Sequence, residues 1–195
     1  MRRRGRVVVP ALAAGVLVAA SVPPWGLYGL APVGLGLLAW RLAGLRARAR
    51  VLAGLVFGIG LFGPTLEWAT GFNAAGYGAL VILEAAFFAG ACLLTPSGRG
   101  RALAFPGAMT LARAARTIWP FGGFPMGGIP LGQAGGPLLA TARVGGPLLV
   151  TGLAATAGVC LAELAHLAGW LPRRRAAAAS RPAAGTLRRR RAVAA

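Results

Sequence analysis

The sequence contains no lysine and no aspartate, and its only acidic residues are Glu67, Glu84 and Glu163. All 21 basic residues are arginine. Any mechanism that needs a lysine within these 195 residues is therefore excluded.

Cysteine is also scarce. Cys92 and Cys160 lie far apart, each inside an apolar run, and they form no CxxC pair. This pattern gives little support to a disulfide framework or a metal site, so we expect both to be small buried hydrophobic residues. We expect neither a metal nor a cofactor.

Apolar residues are abundant, at 57% of the chain with a mean hydropathy of +0.69, which favours the bilayer as solvent. The net charge of +18 alone would suggest nucleic acid or an anionic membrane surface. The arginines lie between long apolar runs and at both ends, and we find no nucleic-acid-binding motif. We therefore expect a membrane surface and no nucleic acid as partner.

Six apolar runs have about the length of a membrane-spanning helix and are bounded by charge, proline or glycine. The first also resembles a signal peptide, but no convincing cleavage site follows, so an uncleaved helix is favoured. We predict an all-α membrane protein, a bundle of about six transmembrane helices. The spans are about 7–22, 26–40, 51–70, 74–95, 102–118 and 147–170, within a transmembrane domain at 1–172. Residues 173–195 are expected to be a basic disordered cytoplasmic tail or a truncated lead into a seventh span.

The arginines alternate with these spans. Those at 41–50, 99–101 and 173–191 fall on one side, whereas the connections at 23–25, 71–75 and 119–146 carry only Arg143. The positive-inside rule then predicts a multi-pass protein of the plasma membrane with both termini cytoplasmic. The segment FGGFPMGGIPLGQ, residues 121–133, would lie on the extracytoplasmic face.

Glu84 is placed in the middle of the fourth span, where an ionisable group costs at least about 2.5 kcal/mol. It is expected either to be protonated or hydrogen-bonded to a neighbouring helix, or to lie near a lipid or substrate headgroup. Arg113 and Arg116, near the outer end of the fifth span, could anchor it by snorkelling or could hold a phospholipid phosphate.

The glycine- and proline-rich segment is irregular yet apolar, with Phe124 and Met126 around Pro125. Non-helical backbone at membrane depth persists only where it is buried in protein or lines a cavity. We predict a loop folded into the outer mouth of the bundle that helps to line a site for an amphipathic molecule. The alternative is a surface loop with no ligand.

The order of features resembles the N-terminal membrane domain of apolipoprotein N-acyltransferase, of an actinobacterial type. The resemblance rests on PPWGLYGLAPVGLGLLAW, GLVFGIGLFGPTLEWATG, LEAAFF and ARTIWPFGGFPMGGIPLGQAGGPLLATARVGGPLLVTGLAA, over about residues 7–170. It implies lipid- or substrate-lining roles for Glu84, Arg116, Phe124, Pro125, Met126 and Gln133. Arg113 stands where the family usually has an acid, Met126 where it has tryptophan, and Gly128 where it often has arginine.

The resemblance implies an enzyme that moves an acyl chain from a membrane phospholipid to the N-terminal amine of diacylglyceryl-cysteine in a lipoprotein, the last step of lipoprotein maturation. The family's Glu–Lys–Cys triad belongs to a nitrilase-like domain that is not in this sequence. We therefore expect no catalytic residues and no activity alone, as for a truncated, split or frame-shifted product. The alternatives are a scaffold for a separately encoded nitrilase-like domain or polyprenol-phosphate glycosyltransferase, or a small transporter, although no paired broken helices are visible.

Overall fold

A computed structural model describes residues 2–120, 122–124 and 126–171 of the protein. This part of the chain forms six α-helices and three short 3₁₀ turns, and it contains no β-strand, which confirms the predicted all-α fold class. The predicted tail at 173–195 lies outside the described residues. The helices are α1 Arg2–Ala19, α2 Leu30–Arg41, α3 Ala47–Thr65, α4 Ala74–Leu94, α5 Arg101–Arg116 and α6 Ala142–Leu167.

Three stretches of helix in the described residues are long and apolar enough to cross a membrane. They are α3, α4 and the stretch Pro137–Leu167, which includes α6 and the turn before it. Apolar helix is shorter in α1, over Gly5–Ala19, and in α2, over Leu30–Arg41. A count of six membrane spans stays a prediction.

The helices close into a ring in the order α1, α3, α4, α5, α6, α2, because each packs against the next and α2 returns to α1. Buried apolar side chains from all six fill the interior, with Phe57, Phe62 and Phe88 at the α3–α4 contact. The core is therefore shared by the whole ring.

Glycines allow two of these helix pairs to approach closely. A β-carbon on Gly58 of α3 would collide with the backbone of Ala85 in α4, and one on Gly36 of α2 would collide with Gly158 of α6. Small residues at helix contacts are typical of membrane bundles, where close packing replaces the hydrophobic driving force.

The two ends of the ring differ in composition. We call the end that carries residues 117–141 the loop end. We call the opposite end the arginine end, because the connections with Arg41–Arg50 and Arg99–Arg101 meet there. The Gly44 amide donates to the Ser97 carbonyl at 3.2 Å, which ties these two connections together.

Several predicted boundaries differ from the helices. The second apolar run begins at Gly26, but α2 begins at Leu30, since Gly26 has φ of +64° in the preceding turn. The third run continues to Thr70, but α3 ends at Thr65, just after Pro64, which has no amide hydrogen to donate. A 3₁₀ turn, Glu67–Gly71, follows.

The sixth helix begins before the predicted span, which starts at residue 147. Helix α6 starts at Ala142, and its backbone breaks at Gly145 and Gly146, the latter with φ of +59°. Regular helix therefore resumes at Pro147, the predicted start of the span, because proline fits the first turn of a helix.

The two cysteines have different environments. Cys92 is fully buried in the core as predicted, and both thiols are free. The expectation that Cys160 is buried is wrong, because α6 turns Ala155, Gly158 and Val159 inward and leaves Cys160 exposed.

Candidate lipid site at the loop end

A buried ion pair joins two helices near the loop end. Arg116 is the last residue of α5, and its Nε donates to Oε2 of Glu84, in the middle of α4. Both side chains are 1% exposed. This contact supports the first of the two roles considered for Glu84, that of an interhelical bond.

The guanidinium of Arg116 also holds the irregular segment. Its Nη2 donates to the Met126 carbonyl at 3.0 Å, and its Cζ lies 4.5 Å from the ring centroid of Phe62 on α3. The Phe124 amide donates to the Arg116 carbonyl at 2.9 Å. One side chain and its own backbone thus connect α3, α4 and α5 to the loop.

A second anchor lies further along the same segment. Gln133 is 2% exposed, and its Nε2 donates to the Tyr28 carbonyl at 2.9 Å and to the Gly132 carbonyl at 3.2 Å. Gly132 lies so close to Ser21 that a side chain there would collide with the Ser21 hydroxyl. The later half of the loop therefore packs on the connection between α1 and α2.

The loop is folded into the end of the ring, with Gly128, Ile129, Gly132 and Gln133 all buried. Four of its glycines have positive φ, and Gly128, at +91°, would bring a β-carbon to 3.1 Å from Nη1 of Arg116. A side chain at 128 would therefore disturb the ion pair directly.

A cavity of about 440 Å³ opens between the loop, α5 and α6. Its one charged lining residue among those described is Arg113, which is 8% exposed. The other lining residues are Met126, Gly127, Pro130, Leu131, Ala134, Leu139, Ala142, Pro147 and Val150. A single guanidinium in a largely apolar cavity suits an amphipathic anion such as a phospholipid.

An apolar groove of about 420 Å³ lies beside α5, towards α4. Trp119 closes one end of it, with its ring 6.0 Å from that of Phe87. Leu83, Leu94 and Leu111 also line it. The groove is apolar, as an acyl-chain site would be, and α5 separates it from the cavity with Arg113.

The structure brings some of the predicted site residues together. Glu84 and Arg116 form one contact, which reaches the backbone of Phe124 and Met126, while Gln133 lies apart as an anchor of the loop. The side chain of Met126 is 52% exposed and lines the cavity. Pro125 lies outside the described residues. Contact of any of these residues with lipid stays a prediction.

The expectation that Arg113 and Arg116 snorkel to the membrane interface is wrong, because both guanidinium groups are buried within the protein. Sequence reasoning also missed Phe62 and Tyr28. The Phe62 ring is covered by a cation, and Tyr28 contributes a backbone carbonyl, which no side-chain pattern could reveal.

Glu67, Glu163 and His166 lie away from the cavity and have local surroundings. Glu67 is exposed in the 3₁₀ turn, and Glu163 pairs with Arg101 at 3.5 Å. His166 contacts the Leu171 carbonyl through Nδ1 at 2.9 Å. The described residues contain no cluster of three or more side chains that could hold a metal ion.

A ring of apolar helices with a buried ion pair and a loop folded into one end is the structure of a helical membrane domain. Comparison with protein families is more specific. The family model of the apolipoprotein N-acyltransferase N-terminal domain matches residues 14–160, about three quarters of the chain. The chain belongs to this family, which confirms the resemblance drawn from its motifs.

Proposed function

We propose that this chain is the lipid-admitting membrane domain of an apolipoprotein N-acyltransferase-like protein in the plasma membrane. Both termini would be cytoplasmic and the loop end extracytoplasmic. The single observation that carries the proposal is the cavity at the loop end, where Arg113 lies among apolar side chains. Family membership supports the choice of phospholipid donor and lipoprotein acceptor.

The cavity and groove fit the two parts of a phospholipid. The phosphodiester would accept hydrogen bonds from the Arg113 guanidinium, which matches phosphate geometry. An acyl chain would lie along apolar surface, either in the cavity beside Leu131 and Leu139 or in the groove closed by Trp119. The Arg116–Glu84 pair would hold the loop that forms one wall of the cavity.

Acyl transfer itself would need a nitrilase-like domain with a Glu–Lys–Cys triad. In that reaction the cysteine thiolate takes the acyl group from the phospholipid and releases a lysophospholipid. The N-terminal amine of diacylglyceryl-cysteine then takes the acyl group, and the thiol is regenerated. These 195 residues contain no lysine, so they would not be catalytic alone.

Photocrosslinking tests lipid entry. The full chain is reconstituted in nanodiscs with a phosphatidylethanolamine that carries a photoreactive acyl chain, and labelled peptides are identified by mass spectrometry. We expect labels on residues 126–150 and on α4 or α5. Arg113→Gln should reduce labelling of 126–150 about tenfold, whereas Arg143→Gln, at an exposed position outside the cavity lining, should not.

Arg113→Lys and circular dichroism control for folding, since the lysine variant keeps the charge. Labelling that is uniform along every helix, or equal in the Arg113→Gln and Arg143→Gln proteins, would contradict the proposed site. N-acylation of a model lipoprotein by this chain alone would refute the absence of catalysis. N-acylation that appears only when a domain with a Glu–Lys–Cys triad is added would support the proposal that this chain supplies the membrane domain alone.

A further inference from the structure

A second cavity, of about 840 Å³, opens at the arginine end of the ring. It lies between the start of α1, the end of α2 and the connection into α3. Three arginines from these separate elements line it, namely Arg6, Arg41 and Arg46. Convergence of Arg6 of α1 with Arg41 and Arg46, about 35 to 40 residues later, distinguishes this cavity from a basic loop that merely faces solvent.

No side-chain carboxylate of this protein neutralises these charges. Of its three acids, Glu84 pairs with Arg116, Glu163 pairs with Arg101, and Glu67 is exposed near the loop end. None of them is among the described residues that line the cavity. The cavity is therefore a concentrated positive site.

The hydrogen-bonding capacity of these arginines is also largely unused by the rest of the described chain. The Nε of Arg41 is buried and has no hydrogen-bond partner among the described residues, and its Cζ lies 5.5 Å from the Trp40 ring centroid. Two neighbours behave differently. Arg50 donates to the Thr95 carbonyl, and Arg48 is exposed and does not line the cavity.

The remaining wall is apolar. Val7 and Pro10 of α1 and Leu45 of the connection face the same cavity. A free inorganic anion would gain nothing from this surface, whereas a lipid would place its phosphate on the guanidinium groups and its glycerol and upper acyl carbons on the apolar wall.

We propose that the cavity at the arginine end is a specific binding site for the phosphodiester headgroup of an anionic membrane lipid. Arg6, Arg41 and Arg46 are the phosphate ligands. Basic pockets between membrane helices are suited to such headgroups. The site lies at the opposite end of the ring from the cavity with Arg113, so it does not depend on the function proposed above.

Native mass spectrometry of the full chain tests the proposal. The protein is released from nanodiscs that contain equal amounts of phosphatidylglycerol and phosphatidylcholine, at about 0.15 M ionic strength. We expect one phosphatidylglycerol to be retained preferentially. Arg41→Gln should weaken its retention about tenfold, and the triple variant with Arg6→Gln and Arg46→Gln should abolish it. Arg48→Gln, a matched change in the first turn of α3, should leave retention unaltered.

Competition with inorganic phosphate and with glycerol 3-phosphate identifies the source of the phosphate group. Neither inorganic phosphate nor glycerol 3-phosphate should displace the bound phosphatidylglycerol at concentrations too low to change the ionic strength. Displacement by inorganic phosphate would overturn the lipid assignment, and equal loss in the Arg48→Gln and Arg41→Gln proteins would reduce the effect to general surface attraction. Equal retention of phosphatidylcholine would also overturn the proposal.

Arg41→Lys addresses folding, since it keeps the charge but loses the planar fork of donors. It should fold as the parent does and retain less lipid. If instead it retains lipid fully, then a bidentate phosphate contact at Arg41 is excluded and the site as proposed is wrong.

Discussion

Arginine has different surroundings at the two ends of the ring. At the loop end, Arg113 and Arg116 are 8% and 1% exposed, and Arg116 is paired with a carboxylate and a loop carbonyl. At the arginine end, Arg46 and Arg48 are exposed, and Arg41 lies beside a cavity without an acid. The charge of Arg116 is compensated within the fold by Glu84, whereas an arginine that lines a cavity is available to an external anion.

This comparison shows that a net charge of +18 says little about what any one arginine does. At the loop end, Arg116 holds helices and loop together, while Arg113 lines the cavity. At the arginine end, Arg6, Arg41 and Arg46 line a cavity, and Arg48 is exposed. The predictions below test the contacts at both ends of the ring, and they are ordered from the largest expected effect to the smallest.

Loss of the buried carboxylate should have the largest effect. Glu84→Gln leaves the Arg116 guanidinium buried without its counter-charge, and we expect the free energy of unfolding to fall by about 3 kcal/mol. Stability is measured by titration with denaturing detergent in mixed micelles. Glu67→Gln, at an exposed position, is the matched control and should cause no measurable change.

The double variant of Glu84→Gln with Arg116→Gln sharpens the same test. Removal of both charges should cost less than the sum of the two single changes, because each single change leaves one charge alone. Additive losses would mean that the two groups do not interact across α4 and α5.

A change in the helix contact next to Glu84 should have a smaller effect. Gly58→Ala would place a β-carbon against the backbone of Ala85 and force α3 from α4, at a cost of about 1–3 kcal/mol. Gly78→Ala in α4 has no neighbouring atom within 4 Å and should be neutral. Thermal denaturation followed by circular dichroism compares the two, and equal midpoints would argue against the close approach.

The loop anchor should act locally. Gln133→Leu removes the hydrogen bond to the Tyr28 carbonyl. We expect the free energy of local opening of the loop to fall by about 1 kcal/mol. Hydrogen exchange of residues 126–136 provides the measurement. Gly135→Ala, at an exposed site with free space, is the control. Faster exchange in α3 and α4 as well would indicate that Gln133 supports the whole ring.

The ion pair between Arg101 and Glu163 should matter least. Its side chains are 18% and 50% exposed, and an exposed pair contributes at most about 1 kcal/mol. Glu163→Gln should cause a small loss of stability at low ionic strength that vanishes at about 1 M salt. A loss of stability that persists at about 1 M salt would show that this pair is shielded from solvent ions, as the buried Glu84–Arg116 pair is.

Much of the architecture could be predicted from apolar runs and arginine positions. The run at 74–95 predicts α4 almost residue for residue, because Asn73 caps its first turn by accepting from the Ala75 and Gly76 amides. The predicted run at 51–70 extends past the end of α3 at Thr65 into the 3₁₀ turn Glu67–Gly71, because a hydropathy average does not record where the backbone leaves helical geometry. Turn geometry at Gly26 and Gly146 likewise leaves no trace in an average over the sequence.

The site could be predicted only in part. The depth of Glu84 in an apolar helix indicates that it needs a partner, and Arg113 and Arg116 are the nearest cations along the chain at the loop end. The choice of Arg116 depends on how α5 is rotated against α4, which the positions of apolar residues do not fix. The Tyr28 carbonyl is a backbone group, so its bond to Gln133 could not be inferred from residue types.

The contact between Glu84 and Arg116 has a consequence for biogenesis. Glu84 is synthesised 32 residues before Arg116, so its carboxyl group has no counter-ion from Arg116 until α5 has also been synthesised. A helix that enters hydrocarbon alone with an ionised carboxylate bears an energetic penalty. On the predicted topology, in which α5 is the fifth span, efficient integration calls for α4 and α5 to enter the bilayer as a pair, and a ribosome stalled between them would leave α4 at the protein-conducting channel.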